Sequence, residues 1–268
     1  MIDKLELFEL LQPFAEQKSQ IRLLNIFKGL PITHEATIKS VSDSEIIVNC
    51  DRYQLACLYN QRETYIQSNE LPFTLRAQVL RINLTKEEAS LSDFEIAQSD
   101  IGNRMNIRVI PGDQLVGIFQ IQGNPTKVIA PIADISNYGI SVYINELLFP
   151  IKLFQTGDDV NLTIAFPEKV SSEIKKELLK QISATRNSRR VLRTIRPPTI
   201  PHGNMSINAW GKILAIRSEK KSFRHRVSMK LYIKDSERLI LTKYISVRQA
   251  EIIQDLRFLA EDLFNSKT

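Results

Sequence analysis

Ala130-Pro131-Ile132-Ala133-Asp134-Ile135-Ser136-Asn137-Tyr138-Gly139-Ile140-Ser141-Val142 is the stretch on which the fold turns. Apolar residues alternate on either side of Ser136-Asn137-Tyr138-Gly139, whose residue types turn a chain, so the stretch reads as two strands and a tight connection. It also has an echo. Ala36-Thr37-Ile38-Lys39-Ser40-Val41-Ser42-Asp43-Ser44-Glu45-Ile46-Ile47-Val48 lies over it, with Ser40 in place of Asp134 and Glu45 in place of Gly139. A repeated unit of this kind predicts two related β domains.

Working outward, short β-branched runs separated by polar turns fill both halves of the chain. Ala36–Val41, Ile46–Val48, Thr64–Ile66 and Ala77–Ile82 make a first set, within 32–94. Val116–Ile121, Val128–Ile132, Ile140–Ile144 and Val160–Phe166 begin a second, resumed by Ile207–Ile216, Arg224–Ile233 and Leu239–Tyr244. This is the pattern of small barrels or sandwiches. Residues 3–28 read as helical, in one or two pieces divided near Lys18–Gln20 and stopped by Gly29 and Pro31. A last helix is expected from about Val247 to Phe264. The expected fold is mostly β: two small barrels, an N-terminal helix, a basic helical insertion and a closing C-terminal helix. The expected domains are a helical segment 1–30, an accessory barrel 31–98 and a second barrel 99–268 interrupted at about 167–204. An insertion at a hairpin tip is tolerated because closure entropy grows slowly with loop length.

The chain has 268 residues, 43% of them apolar, and a formal net charge of +6. Such a surplus favours an anionic partner. It is concentrated: residues 171–196 hold eight basic and two acidic side chains, a net charge equal to that of the whole chain. Contact of this run with an acidic protein, lipid headgroups or nucleic acid is one reading, and a solvated helix the other. No run of apolar residues is long enough to span a membrane. The start, Met1-Ile2-Asp3-Lys4, lacks the layout of a secretory signal, so a cytoplasmic location is expected. Cys50 and Cys57 fit no zinc spacing, His34, His202 and His225 are scattered, and no metal is expected. The cysteines read as small core residues of a β segment, and Trp210 as a core residue of a strand. The phosphate-loop, zinc-protease and serine-nucleophile motifs are absent, no catalytic residue is assigned, and the chain is not expected to be an enzyme.

Arg104 and Arg108 stand four residues apart where the connector 95–103 enters the second β set, and Asp134, Ser136 and Gly139 follow 26 residues later as Asp-x-Ser-x-x-Gly. The pair of motifs resembles the signature of the PilZ family, and the two-barrel layout is similar to its flagellar-brake (YcgR-like) members. The resemblance covers roughly half the chain. It implies a receptor for cyclic di-GMP with Arg104, Arg108, Asp134, Ser136 and Gly139 at the ligand and no other cofactor. The chemistry agrees. A guanidinium forks onto a phosphate or onto guanine O6 and N7. A carboxylate accepts from the guanine Watson–Crick edge, and a serine bonds base or phosphate. A glycine permits a positive φ or a close approach. Asn103 stands where many relatives carry a further arginine. The implied function is a change of inter-domain arrangement on ligand binding that regulates a protein partner in flagellar motor, pilus or polysaccharide machinery. The alternatives are an adaptor of the same fold that binds no nucleotide, and a nucleic-acid binder using the basic insertion.

Overall fold

The structure is a computed structural model and describes residues 4–42, 44–97, 107–112, 115–187, 205–219 and 223–266, with the side chains of 4–6, 177, 178 and 181–187 left aside. The chain is mostly β and, among the described residues, forms two closed six-stranded barrels with four α-helices. In the first, β1 (Gln20–Phe27), β2 (Leu30–Val41), β3 (Ile46–Cys50), β4 (Glu63–Gln67), β5 (Leu75–Asn83) and β6 (Glu88–Ile96) close in the order β1-β2-β3-β6-β5-β4. The second comprises β7 (Val116–Ile121), β8 (Lys127–Ile135), β9 (Gly139–Asn145), β10 (Asp159–Ala165), β11 (Ser206–Ser218) and β12 (Arg224–Ile233). It closes as β7-β8-β9-β12-β11-β10, the same topology. The helices are α1 (Lys4–Gln17), α2 (Arg52–Gln61), α3 (Glu168–Asn187) and α4 (Asp235–Asn265). Two compact units result, one from residues up to 105 together with 251–268, the other from 106–250.

The segment 18–28, expected to be helical, is strand β1. Lys18 adopts φ +51 and ends α1, with Ser19 N–H bonded to Phe14 O at 3.0 Å. Lys28 and Gly29, at φ +49 and +86, then make the two-residue turn into β2. The helical reading failed because β1 is covered on both faces, which erases the period-two alternation. Inside, Ile21 and Leu23 join Leu7, Leu11 and Phe14 of α1 in the first core. Outside, α2 lies against the strand through a buried polar network. Gln54 Nε2 and Thr64 Oγ1 both donate to Asn25 Oδ1, at 2.6 and 2.8 Å, and Gln61 Nε2 donates to Ile26 O at 2.7 Å.

Helix α2 itself interrupts a stretch expected to be all β. Asp51 caps it by accepting from Tyr53 N and Gln54 N at 2.7 and 3.0 Å, and Arg62 ends it at φ +60. Cys57 therefore lies on a helix and Cys50 on β3; both are buried, and burial pushes both thiols up to about 12. The expected strand Leu239–Tyr244 is part of α4, which begins at Asp235. Its buried residues Leu241, Tyr244, Ile245, Arg248, Ile252 and Leu256 recur at spacings of three and four, the helical period. Trp210, expected in the core, is 48% exposed on β11 and stacks on Tyr232 of β12 with ring centroids 3.8 Å apart. No helix among the described residues is long and apolar enough to cross a membrane.

The insertion leaves the second barrel between β10 and β11. Phe166 N–H bonds Met205 O at 3.0 Å, and Ser171 Oγ donates to Phe166 O while accepting from Met205 N at 3.0 Å. Both ends of the excursion are thereby fastened to one point of the barrel. Residues 188–204, with Arg189, Arg190, Arg193 and Arg196 of the basic run, lie outside the described residues.

His34 of β2 and Asp51 form an ion pair. The hydrogen bond to Asp51 lifts the His34 pKa against the opposing effect of burial. Burial alone would raise the Asp51 carboxyl, but its bonds from His34, Gln54 and Tyr53 hold it below the usual value. The raised histidine stabilises the fold fully below about pH 6.5, and that contribution fades as pH rises through its folded pKa. The lowered carboxyl stabilises above about pH 4 and fades as pH falls through its own. The first barrel is therefore expected to be most stable between about pH 4 and 6.5, and His34→Ala to flatten the alkaline side of that profile. Urea unfolding followed by circular dichroism checks this, with the fluorescence of Trp210, the sole tryptophan, reporting the second barrel as control.

Candidate functional site

Along β9 the inward residues Ile140, Val142 and Ile144 are buried, so Ser141 and Tyr143 face outward. Along β12 Val227, Met229 and Leu231 are buried, so Arg226, Ser228 and Lys230 face outward. Asp134 joins this outer face through a β-bulge. Ile132 pairs with Val142 but Asp134 pairs with Ser141, one residue of β8 being unmatched between them. Without that extra residue the parity of β8 would send Asp134 into the barrel.

On the outer face two arginines hold Asp134, which is only 4% exposed. Arg108 donates from Nη1 to Oδ1 at 3.3 Å, and Arg226 donates from Nη2 to Oδ2. Arg108 arrives on the segment 107–112, which adds one bridge to the end of β8: Val109 N–H bonds Ile135 O at 2.9 Å and Ile135 N–H bonds Val109 O at 3.0 Å. Arg248 of α4, itself buried, clamps this segment by donating to Ile110 O at 2.9 Å, and a Cβ on Gly112 would come within 2.6 Å of its guanidinium. Arg217 of β11 stands opposite Arg226 in the register, and Lys230 opposite Gly139. Like charges placed opposite one another destabilise a sheet, so the Arg217–Arg226 pairing is a cost that this face carries.

Of the residues expected at the ligand, the structure therefore brings Arg108, Asp134, Ser136 and Gly139 together; Arg104 lies outside the described residues. Ser136 is buried and its hydroxyl closes the turn, donating to Gly139 O at 3.1 Å and accepting from Tyr138 N at 3.4 Å. Gly139 does not use the left-handed region. Its requirement is space: a Cβ there would lie 3.2 Å from Met229 O and 3.9 Å from Arg108 Nη2. The other side of the turn is held by α4, with Thr242 Oγ1 donating to Asn137 and the Arg238 guanidinium 5.3 Å from the Tyr138 ring. Arg226 was not anticipated. Its link to Asp134 depends on the pairing of strands 92 residues apart, and nothing local to Arg226 announces it.

The first barrel has the same frame with other chemistry. Its bulge falls between Ile38 and Ser40, opposite Val48 and Ile47, 94 positions before Ile132, Asp134, Val142 and Ser141. Its turn closes alike: Ser42 N–H bonds Glu45 O at 2.9 Å, as Ser136 N–H bonds Gly139 O at 2.8 Å, and Ser42 Oγ donates to Glu45 O at 2.9 Å. The cross-strand partner matching Arg226 is Glu88, paired with Asn49 as Arg226 is with Tyr143. Glu88 takes Lys39, and Glu45, in the place of Gly139, is held by Arg81 at 2.7 Å. An acceptor and two carboxylates thus stand where the second barrel has its ion-paired acid, a glycine and an arginine.

No protein-family model matches the chain, and no curated protein matches it. Solved structures similar to it include the Bacillus subtilis inhibitor of motility MotI/DgrA, with 14% identity, a TM-score of 0.38, and coverage of 87% of this chain and 97% of that one. The K. pneumoniae MrkH–cyclic di-GMP complex gives 10%, 0.38, 95% and 96%. Escherichia coli YcgR in complex with cyclic di-GMP gives 11%, 0.37, 96% and 95%.

The shared turn sets an expectation. Ser136→Ala and Ser42→Ala each remove the two hydroxyl hydrogen bonds that close a hairpin, and each should lower stability by about 0.5–1.5 kcal/mol per bond. Denaturant unfolding of the two variants checks this; a loss at Ser136 with none at Ser42 would show that the equivalence of the turns is only geometric.

Proposed function

We propose that this chain is a cyclic di-GMP receptor of the PilZ type, binding its ligand on the outer face of the second barrel. The observation that carries the reading is the juxtaposition of Arg108, Asp134 and Arg226 beside a glycine-lined turn. One buried carboxylate and several cations stand on an open strand face, the complement of a ligand with two phosphates and two guanine edges. In this reading Arg108 turns its fork to a phosphate, joined by Arg104 from the connector. Asp134 accepts from a guanine edge, Ser136 shapes the turn, and Gly139 leaves the ligand room. The first barrel, with Ser40, Glu45 and Glu88 at the matching positions, binds no nucleotide.

The rest of the reading concerns output. Arg104 and Arg108 both lie at the end of the connector, so a ligand that engages them changes how the two barrels are joined, and a protein partner in motility, pilus or polysaccharide machinery responds. A ligand shifts such an equilibrium only by its differential affinity for the two arrangements. A second reading, an adaptor that binds no nucleotide, is favoured by one observation: Asp134 already has its counter-charges within the chain.

Calorimetric titration with cyclic di-GMP, with GTP and linear pGpG as controls, separates the two. The receptor reading expects one binding face per chain. Arg104→Ala or Arg108→Ala should each weaken binding roughly 10- to 150-fold, since a hydrogen bond to a charged group contributes about 1.5–3 kcal/mol. Asp134→Ala and Gly139→Glu should abolish binding, whereas Ser40→Ala and Glu45→Ala should change neither affinity nor stoichiometry. No heat with the unsubstituted chain overturns the receptor reading.

A further inference from the structure

Arg226 has no counterpart in either motif, yet it holds one of the two oxygens on which the proposed recognition depends. Two guanidiniums share the Asp134 carboxylate, whose side chain is only 6% exposed. The pair is not symmetric. Arg108 sits on a segment joined to the barrel by one bridge, and its contact is long, 3.3 Å. Arg226 sits within β12, hydrogen-bonded to β9 on one side and β11 on the other. When a ligand phosphate competes, Arg108 is the partner that can leave. A buried carboxylate left with no partner takes up a proton. It would then present an O–H where the guanine edge presents N–H donors, and recognition would fail.

Resting on the receptor reading above, we infer that Arg226 is a positioning residue of the ligand site. It stays on Asp134 Oδ2 while Arg108 turns to the ligand, keeps the carboxylate charged, and leaves Oδ1 toward the guanine. Among the described residues, the charged or titratable groups around Asp134 are Arg108 on the incoming segment and Arg226 on β12, with Tyr143 on β9 and Arg217 on β11 each standing opposite Arg226, and with Glu219 and Arg224 beyond them at Tyr143. His225 lies on the other face of β12, bonded to Glu146 and Ser218. His225 is common to the unsubstituted chain and both variants, so a pH dependence confined to Arg226→Gln reports on Asp134 deprived of its arginine. The first barrel has Glu88 at the position of Arg226 and Ser40 at that of Asp134, so acid and positioning arginine are absent together.

The test is cyclic di-GMP affinity of the full chain from pH 5.5 to 8 for the unsubstituted protein, Arg226→Gln and Arg226→Lys, each first shown to be folded by its thermal transition. The inference expects a nearly flat profile for the unsubstituted chain. Arg226→Gln should bind at least about tenfold more weakly at pH 7, and weaken further as pH falls, while Arg226→Lys should recover most of the affinity and the flat profile. Arg226→Gln binding like the unsubstituted chain overturns it. So does an equal loss in both variants with no pH dependence, which would make Arg226 a direct ligand contact or a purely structural residue. If the unsubstituted chain does not bind, the receptor reading falls first; if it binds and the variants behave alike, only the role of Arg226 falls.

Discussion

One extra residue in β8 is the constraint on which the candidate site rests. A strand alternates its side chains, so every residue beyond Ile132 would keep the parity that sends even positions inward. The bulge between Ile132 and Asp134 reverses that parity for the end of the strand. Ile135 keeps the core, Asp134 moves outside, and the backbone of Ile135 is left free to bridge Val109. The arginine-bearing segment, the acid and the turn all depend on this local slip. A bulge is a device for aiming a side chain, and here it aims Asp134 at Arg108 and Arg226.

The two barrels separate scaffold from chemistry. Both have the same strand order, the same bulge opposite the same strand and the same serine-closed turn. What differs is charge. Glu45 and Glu88 are tied to Arg81 and Lys39, making self-contained pairs on the first barrel, whereas the second barrel sets Arg108 and Arg226 on Asp134, with Arg217 opposite Arg226 and Lys230 opposite Gly139. Exposed pairs such as Arg81–Glu45 contribute little to stability, so the first barrel does not need them to fold. Their effect is to occupy positions that the other barrel leaves to cations and to a glycine. Serine belongs to the frame rather than to the difference, since Ser42 and Ser136 do the same work.

Much of the fold was legible because the signals were local. The alternation on either side of Ser136–Gly139 and its echo at Ala36–Val48 identified a repeated β unit, and the proline-bounded basic stretch marked the insertion. The failures share a cause. β1 lost its alternation because α2 covers it through Asn25, Gln54, Gln61 and Thr64, a polar network assembled from distant segments. Leu239–Tyr244 has strand-like composition, and only the burial of Leu241, Tyr244 and the following Ile245 reveals the helix. Trp210 reads as a core residue from its apolar neighbours Ala209 and Ile213, but the strand turns it outward onto Tyr232. In the candidate site, Arg108 and Asp134 are legible as motif residues, and they meet. Arg226 is not, because only cross-strand register brings it to Asp134.

The fastening of the insertion has a consequence of another kind. Phe166 and Met205 are bonded to each other, and Ser171 ties both to the start of α3, so strands β10 and β11 meet in register whatever the chain does in between. Lengthening such an excursion costs little, since closure entropy grows only logarithmically. The barrel is therefore insulated from changes in that segment's length and composition. Changes in that segment can accumulate without disturbing the outer face that carries Asp134, so the two parts of the second barrel's chain are free to evolve at different rates.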